Sequence, residues 1–163
     1  MLAKFADFGT VSEGTLDTED LLETFSDTLE SLIRKQSSGF KRLPYRKLIR
    51  DARKVLNHPD EDGADALLCS ELVDDLADAL NNFAPPYAYF GTIDGDGACF
   101  GFWISHDAIR DAIHDKTLRK VDDLARVPRG YSGEVLQVSD HGNMTLYYRP
   151  GPRSRWREVW SVV

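Results

Sequence analysis

Residues 84–104 read Ala84-Pro85-Pro86-Tyr87-Ala88-Tyr89-Phe90-Gly91-Thr92-Ile93-Asp94-Gly95-Asp96-Gly97-Ala98-Cys99-Phe100-Gly101-Phe102-Trp103-Ile104, and the change of texture across them decides the fold class. Two consecutive prolines remove backbone donors and hold the preceding residues extended, so a helix arriving from the N-terminal side stops at Ala84. Beyond them, two aromatic-rich runs, 87–93 and 98–104, flank Asp94-Gly95-Asp96-Gly97, a hairpin turn sequence. Tyr87, Tyr89, Phe90, Phe100, Phe102 and Trp103 are expected at the centre of the core.

Upstream, the period is helical. Asp17 or Thr18 caps a first helix with Glu19, Asp20 and Glu23 in its opening turn, where the macrodipole favours negative charge. Leu21, Leu22, Phe25, Leu29, Leu32 and Ile33 recur at three- and four-residue intervals, and the helix ends near Gln36. Ser37-Ser38-Gly39 breaks the pattern. Pro44 suits the first turn of a second helix carrying Leu48, Ile49, Ala52, Val55 and Leu56, closed by Asn57-His58-Pro59. A polar link, Asp60 to Gly63, leads to a third helix whose Ala66, Leu67, Cys69, Leu72, Val73, Leu76, Ala79 and Leu80 are expected to face inward.

Downstream, Ser105-His106-Asp107 caps a short helix through His114, and an ambiguous stretch with Leu118, Val121 and Leu124 ends at Pro128. A second hairpin, 134–138 and 143–148, turns through Ser139-Asp140-His141-Gly142, and 156–163 alternates as a last strand. The reading is α+β: an N-terminal layer of three helices, about 18–82, packed on a C-terminal antiparallel sheet of about five strands, 87–163. Each half alone would leave an apolar face uncovered, so 1–163 is expected to be one domain. Phe5 and Phe8 are candidates to tuck into the core or a neighbour.

Apolar content of 42% excludes wholesale disorder. Cys69 and Cys99 both sit among apolar neighbours and read as buried thiols rather than a disulfide. The opening MLAKFADFGT turns acidic too early for a secretory leader, and no run reaches the ~18 apolar residues of a membrane span, so a cytoplasmic protein without membrane contact is expected. The net charge of −7 repels nucleic acid at long range. Against that background stand two basic blocks. Arg34 to Lys54 holds nine cations against Asp51 alone, and Arg149, Arg153, Arg155 and Arg157 cluster near the end.

Most constellations resolve to ordinary structure. Asp94 and Asp96 superficially match the start of a calcium loop, but position 105, where a bidentate Glu belongs, is Ser. His58, His106, His114 and His141 lack metal-ligand spacing, the cysteines form no Cys-x-x-Cys, and no phosphate-cradling glycine loop precedes a helix, so no cofactor or metal is expected. Ser139, Asp140 and His141 are adjacent on a turn, whereas a working triad draws on separated positions. The aromatic strands hold no Lys or Arg between 55 and 109, which disfavours a stacking surface for RNA. Tyr148, Arg149, Arg153, Arg155, Trp156 and Arg157 differ, because Arg, Tyr and Trp interleave as they do at interface hot spots.

The stretch Pro85-Pro86-Tyr87-Ala88-Tyr89-Phe90-Gly91, the following Asp94-Gly95-Asp96-Gly97-Ala98-Cys99-Phe100-Gly101-Phe102-Trp103, and Ser139-Asp140-His141-Gly142-Asn143-Met144-Thr145-Leu146-Tyr147 resemble a group of small uncharacterised proteins of bacteriophages, prophages and plasmids. The resemblance spans the last 80 residues or so and brings no catalytic residues with it. It implies a setting in which small acidic proteins occupy a host or phage protein, some as inhibitors of defence systems and some by presenting a DNA-like negative face. The third helix, with Asp62, Asp65, Glu71, Asp74, Asp75 and Asp78, is the candidate for such mimicry. A second likeness, architectural alone, is to immunity proteins of contact-dependent toxin systems.

Three functional readings follow. The leading one is a non-catalytic protein-binding module of phage or mobile-element origin, possessing no cofactor and using Tyr148, Arg149, Arg153, Arg155, Trp156 and Arg157, or the acidic helix, as its contact. The alternative is nucleic-acid binding through Arg46, Lys47, Arg50, Arg53 and Lys54 on the second helix. The third is a small hydrolase-like enzyme in which Asp94, Asp96, Asp140 and His141 meet across the two hairpin turns.

Overall fold

The computed structural model describes residues 5–37, 40–57 and 64–163. His58, Asp62 and the link 60–63 lie outside the described residues. The chain divides into two compact units, Met1–Ile104 and Ser105–Val163.

In the first unit, β1 (Gly9–Ser12) precedes α1 (Thr18–Lys35), α2 (Leu43–Asn57) and α3 (Ala64–Asn81), and the hairpin β2 (Ala88–Ile93) and β3 (Asp96–Ile104) closes it. Asp17 is the α1 cap, its carboxylate accepting from the Glu19 and Asp20 amides. The α1 stripe reads as the spacing predicts: Leu21, Leu22, Phe25, Leu29, Leu32 and Ile33 are all buried. On α3 the inward face is Cys69, Leu72, Leu76, Ala79 and Leu80, while Leu67 is 71% exposed rather than inward. Leu67 lies about 140° around the helix from Leu72, on the far side of that stripe.

Helices and hairpin form two layers of this unit, as the switch at Pro85 implies. The Phe25 ring meets Phe90 edge-on at 5.1 Å and Phe100 at 5.4 Å, and Phe90 lies 4.9 Å from Phe102. A fully buried side chain of that size contributes roughly 1.5–3 kcal/mol. The strands run in the order β1-β3-β2, all antiparallel. A side chain at Gly101 would place its Cβ 2.3 Å from the Gly9 carbonyl oxygen, so this glycine is what lets β1 approach β3. The far edge of β2 is closed to further pairing at Phe90, whose amide donates to Asn81 Oδ1. Ala6 is buried near the N-terminal end, its amide donating to the Phe83 carbonyl, while Phe5 and Phe8 are half-buried.

The second unit runs α4 (His106–His114), β4 (Leu118–Val121), a 3₁₀ turn (Leu124–Arg126), β5 (Gly133–Val138), β6 (Met144–Arg149) and β7 (Arg157–Val162). Ser105 caps α4, as its sequence implies. The strand order is β4-β5-β6-β7, with buried Leu118, Leu136, Leu146 and Trp160.

Helices followed by sheet therefore describe the chain, but not one antiparallel sheet of five strands. Seven strands form two sheets, and β4 pairs parallel to β5. Both thiols, Cys69 and Cys99, are buried, and neither is in a disulfide. No helix among the described residues is long and apolar enough to cross a membrane.

Candidate functional site

α2 has two faces of unlike chemistry. Ile49 and Ala52 are buried against the rest of the unit, whereas Arg46, Lys47, Arg50 and Lys54 recur at three- and four-residue intervals on the exposed side. Between α1 and this face opens a cleft of about 610 Å³. Arg34, Arg42, Arg46, Arg50, Arg53 and Lys54 line it, six cations against one lining carboxylate, Glu30, with Ile33 and Ile49 as apolar floor.

These cations fall into two groups. Arg53 donates to Asp27 Oδ1 at 2.7 Å and to Glu30 Oε2 at 2.8 Å, and Arg34 donates to Glu30 Oε1 at 2.7 Å. Two guanidiniums on one carboxylate hold Glu30 below the usual glutamate range, the hydrogen bond from Arg53 being the larger cause and that from Arg34 the next. The same contacts, Glu30 first and Asp27 second, raise Arg53. Arg42 serves the backbone, donating to the carbonyls of Ile33 and Gln36 where α1 ends. The second group is unspent. Among the described residues Arg46, Lys47 and Lys54 form no ion pair, and Arg50 has only a long 3.4 Å contact to its neighbour Asp51.

The opposite charge is carried nearby in sequence. α3 contains no Lys or Arg, and Glu71, Asp74, Asp75 and Asp78 are exposed without ion pairs among the described residues. They are the described part of the expected acidic face; Asp62 and Asp65 lie outside it.

The arginine-rich end of the chain is organised differently. Arg149 is buried: its guanidinium donates to the carbonyls of Pro128, Arg129 and Tyr131 and lies 4.4 Å over the Trp156 ring. Trp156 in turn stacks at 6.4 Å on Tyr131, over which Arg119 sits at 5.1 Å. This alternation of cation and ring ties the β6–β7 connection to the 128–131 loop and the edge strand β4. Arg149 and Trp156 are thus engaged inside their own unit, and Tyr148 is half-buried, while Arg153, Arg155 and Arg157 project from the 150–157 segment exposed. The partners Tyr131 and Arg119 are distant in sequence and carry no motif, so only the fold reveals why Arg149 is there.

The two acidic turns belong to different units and different sheets. Asp96 accepts from the Ala98 amide, a local turn contact, and Gly95 takes φ 88°. Ser139 bonds the backbone of Asn143 through both its amide and its hydroxyl, and Gly142 takes φ 85°. No hydrogen bond joins the side chains of Ser139, Asp140 and His141 among the described residues. Nor do three or more His, Cys, Asp or Glu side chains there gather as a metal site. Compared with known protein families, curated proteins and solved structures, the chain matches none.

Proposed function

We propose that the protein is a non-catalytic binding module that engages an acidic protein surface through the exposed face of α2 and the cleft beside it. One observation carries this reading: Arg46, Lys47, Arg50 and Lys54 stand together on the exposed side of one helix with only the long Arg50–Asp51 contact among them, and Arg46, Arg50 and Lys54 line an open cleft. Guanidiniums and ammoniums in that density repel one another, and an incoming set of carboxylates relieves the repulsion while steering the encounter. Arg34, Arg42 and Arg53 are already occupied and act as the rigid wall of the site. Among the exposed residues of the C-terminal cluster, Arg153, Arg155 and Arg157 form a secondary basic surface. The likeness to phage and plasmid proteins supplies a setting for this reading, in which the partner is a host or phage protein and the outcome is inhibition by occupancy.

Nucleic acid is the competing ligand for the same cations. Each phosphate contact releases counterions, so binding to a duplex falls steeply and log-linearly with salt. The chain's net charge of −7 opposes either polyanion at long range, so the two ligands are separated by experiment. The test measures retention of the protein on polyglutamate and on a DNA duplex at matched salt. Stronger retention on polyglutamate, lost by about tenfold or more on reversing Arg46, Arg50 and Lys54 to Glu, supports the protein-partner reading; stronger retention on the duplex replaces it with the nucleic-acid one.

A further inference from the structure

α2 and α3 carry the same exposed pattern with opposite charge. Along α2, Leu43, Lys47, Arg50 and Lys54 follow one another at intervals of four, three and four residues; along α3, Leu67, Glu71, Asp74 and Asp78 follow at the same intervals. That spacing keeps each set within one narrow stripe of its helix, about 16 Å long. Every member of both stripes is exposed, the two leucines heavily so at 79% for Leu43 and 71% for Leu67. No ion pair joins α2 to α3 among the described residues, so neither stripe satisfies the other within the chain.

We propose that the α2 stripe of one copy docks along the α3 stripe of a second copy. The inference rests on reading α2 as a contact surface and gives that surface a second acidic partner, another molecule of this chain. With the helices side by side and running the same way, Leu43 meets Leu67 and Lys47, Arg50 and Lys54 meet Glu71, Asp74 and Asp78 in turn. The leucines bury apolar surface at one end, and the three charge pairs set register and direction. The contact is heterologous, so a second copy leaves one stripe of each kind free, and the assembly grows or closes into a ring. Exposed pairs are individually weak and screened within a Debye length of about 10 Å at 0.1 M salt, so association belongs to high protein concentration and low salt.

Sedimentation equilibrium of the full chain at about 50 mM and about 0.5 M salt tests this directly. The expected result is a mass above the 18.4 kDa of one chain at low salt, rising with concentration, and one chain at high salt. Reversing Lys47, Arg50 and Lys54 to Glu, or Glu71, Asp74 and Asp78 to Lys, should each give one chain. Mixing the two reversed proteins should restore association, because each then offers the other a complementary stripe. The milder pair Arg50→Asp and Asp74→Arg repeats the test with less disturbance of the fold. A wild type that stays at one chain at low salt overturns the proposal, as does association unchanged by the reversals. Should self-association fail while polyglutamate binding remains and depends on α2, only this inference falls; should both fail, the reading of α2 falls with it.

Discussion

Lys116 sits at φ 60° just past Asp115, the residue that caps the C-terminal end of α4, in the left-handed region that costs a side-chain-bearing residue about 1–2 kcal/mol. The surrounding bonds explain why it is there. The Thr117 amide donates to the Ala112 carbonyl and the Lys116 amide to that of Ile113, the paired closure that ends a helix with one left-handed residue, a place usually taken by glycine. Lys116→Gly should therefore raise stability by about 0.5–1 kcal/mol, the relief of strain exceeding the entropy glycine adds to the unfolded chain, read from the urea midpoint. Residues whose role is local were legible in the sequence on the same grounds: Asp17 and Ser105 as caps, Gly142 at its turn. Arg149 was not, because its value depends on carbonyls about twenty residues away and on a ring seven residues on. An arginine beside tryptophan looks the same in a sequence whether the pair faces a partner or faces inward.

The Arg53–Glu30–Arg34 network is the ionic link between α1 and α2, and its chemistry fixes a pH dependence. Glu30 is held below its ordinary value, so its contribution is complete above the unfolded-state value and is lost as pH falls through the lowered, folded one. Arg34 faces it from α1 and Arg53 from α2, with Asp27 sharing Arg53. Glu30→Gln should lower stability at neutral pH and flatten the acid limb of the stability profile; urea unfolding of both proteins from neutral pH downward checks it, and parallel profiles would deny Glu30 that role. Helices were the most legible elements, since their stripes extend over four or five turns. The short strands β1 and β4, four residues each, were not legible. β1 holds its place through the close approach at Gly101, and β4 through a parallel pairing whose partner lies beyond an intervening turn; four residues carry too little alternation to announce either. β5, β6 and β7 were legible as a hairpin and a closing run, but not their separation from β2 and β3 into a second sheet, because alternation marks a strand without naming its neighbours.

Across the whole chain, charge is sorted more sharply than composition suggests. A net −7 conceals a helix, α2, with five cations and one acid, followed by a helix, α3, with acids alone. The basic run was legible as a run, but not its division into Arg34, Arg42 and Arg53, which hold the first unit together, and Arg46, Lys47, Arg50 and Lys54, which do not. That division requires knowing which acids and carbonyls the helices bring within reach. The proposed contact surface lies on α2, with the arginines of the C-terminal segment in a secondary part. Its most direct test is the affinity for a fluorescent polyglutamate peptide, measured by anisotropy at low salt for three proteins: the wild type, the reversal of Arg46, Arg50 and Lys54 to Glu, and the reversal of Arg153, Arg155 and Arg157 to Glu. Both reversals change net charge equally, so long-range repulsion cancels between them. The account predicts that the α2 reversal loses about tenfold or more relative to the C-terminal reversal; equal losses, or a greater loss from the C-terminal reversal, would contradict it.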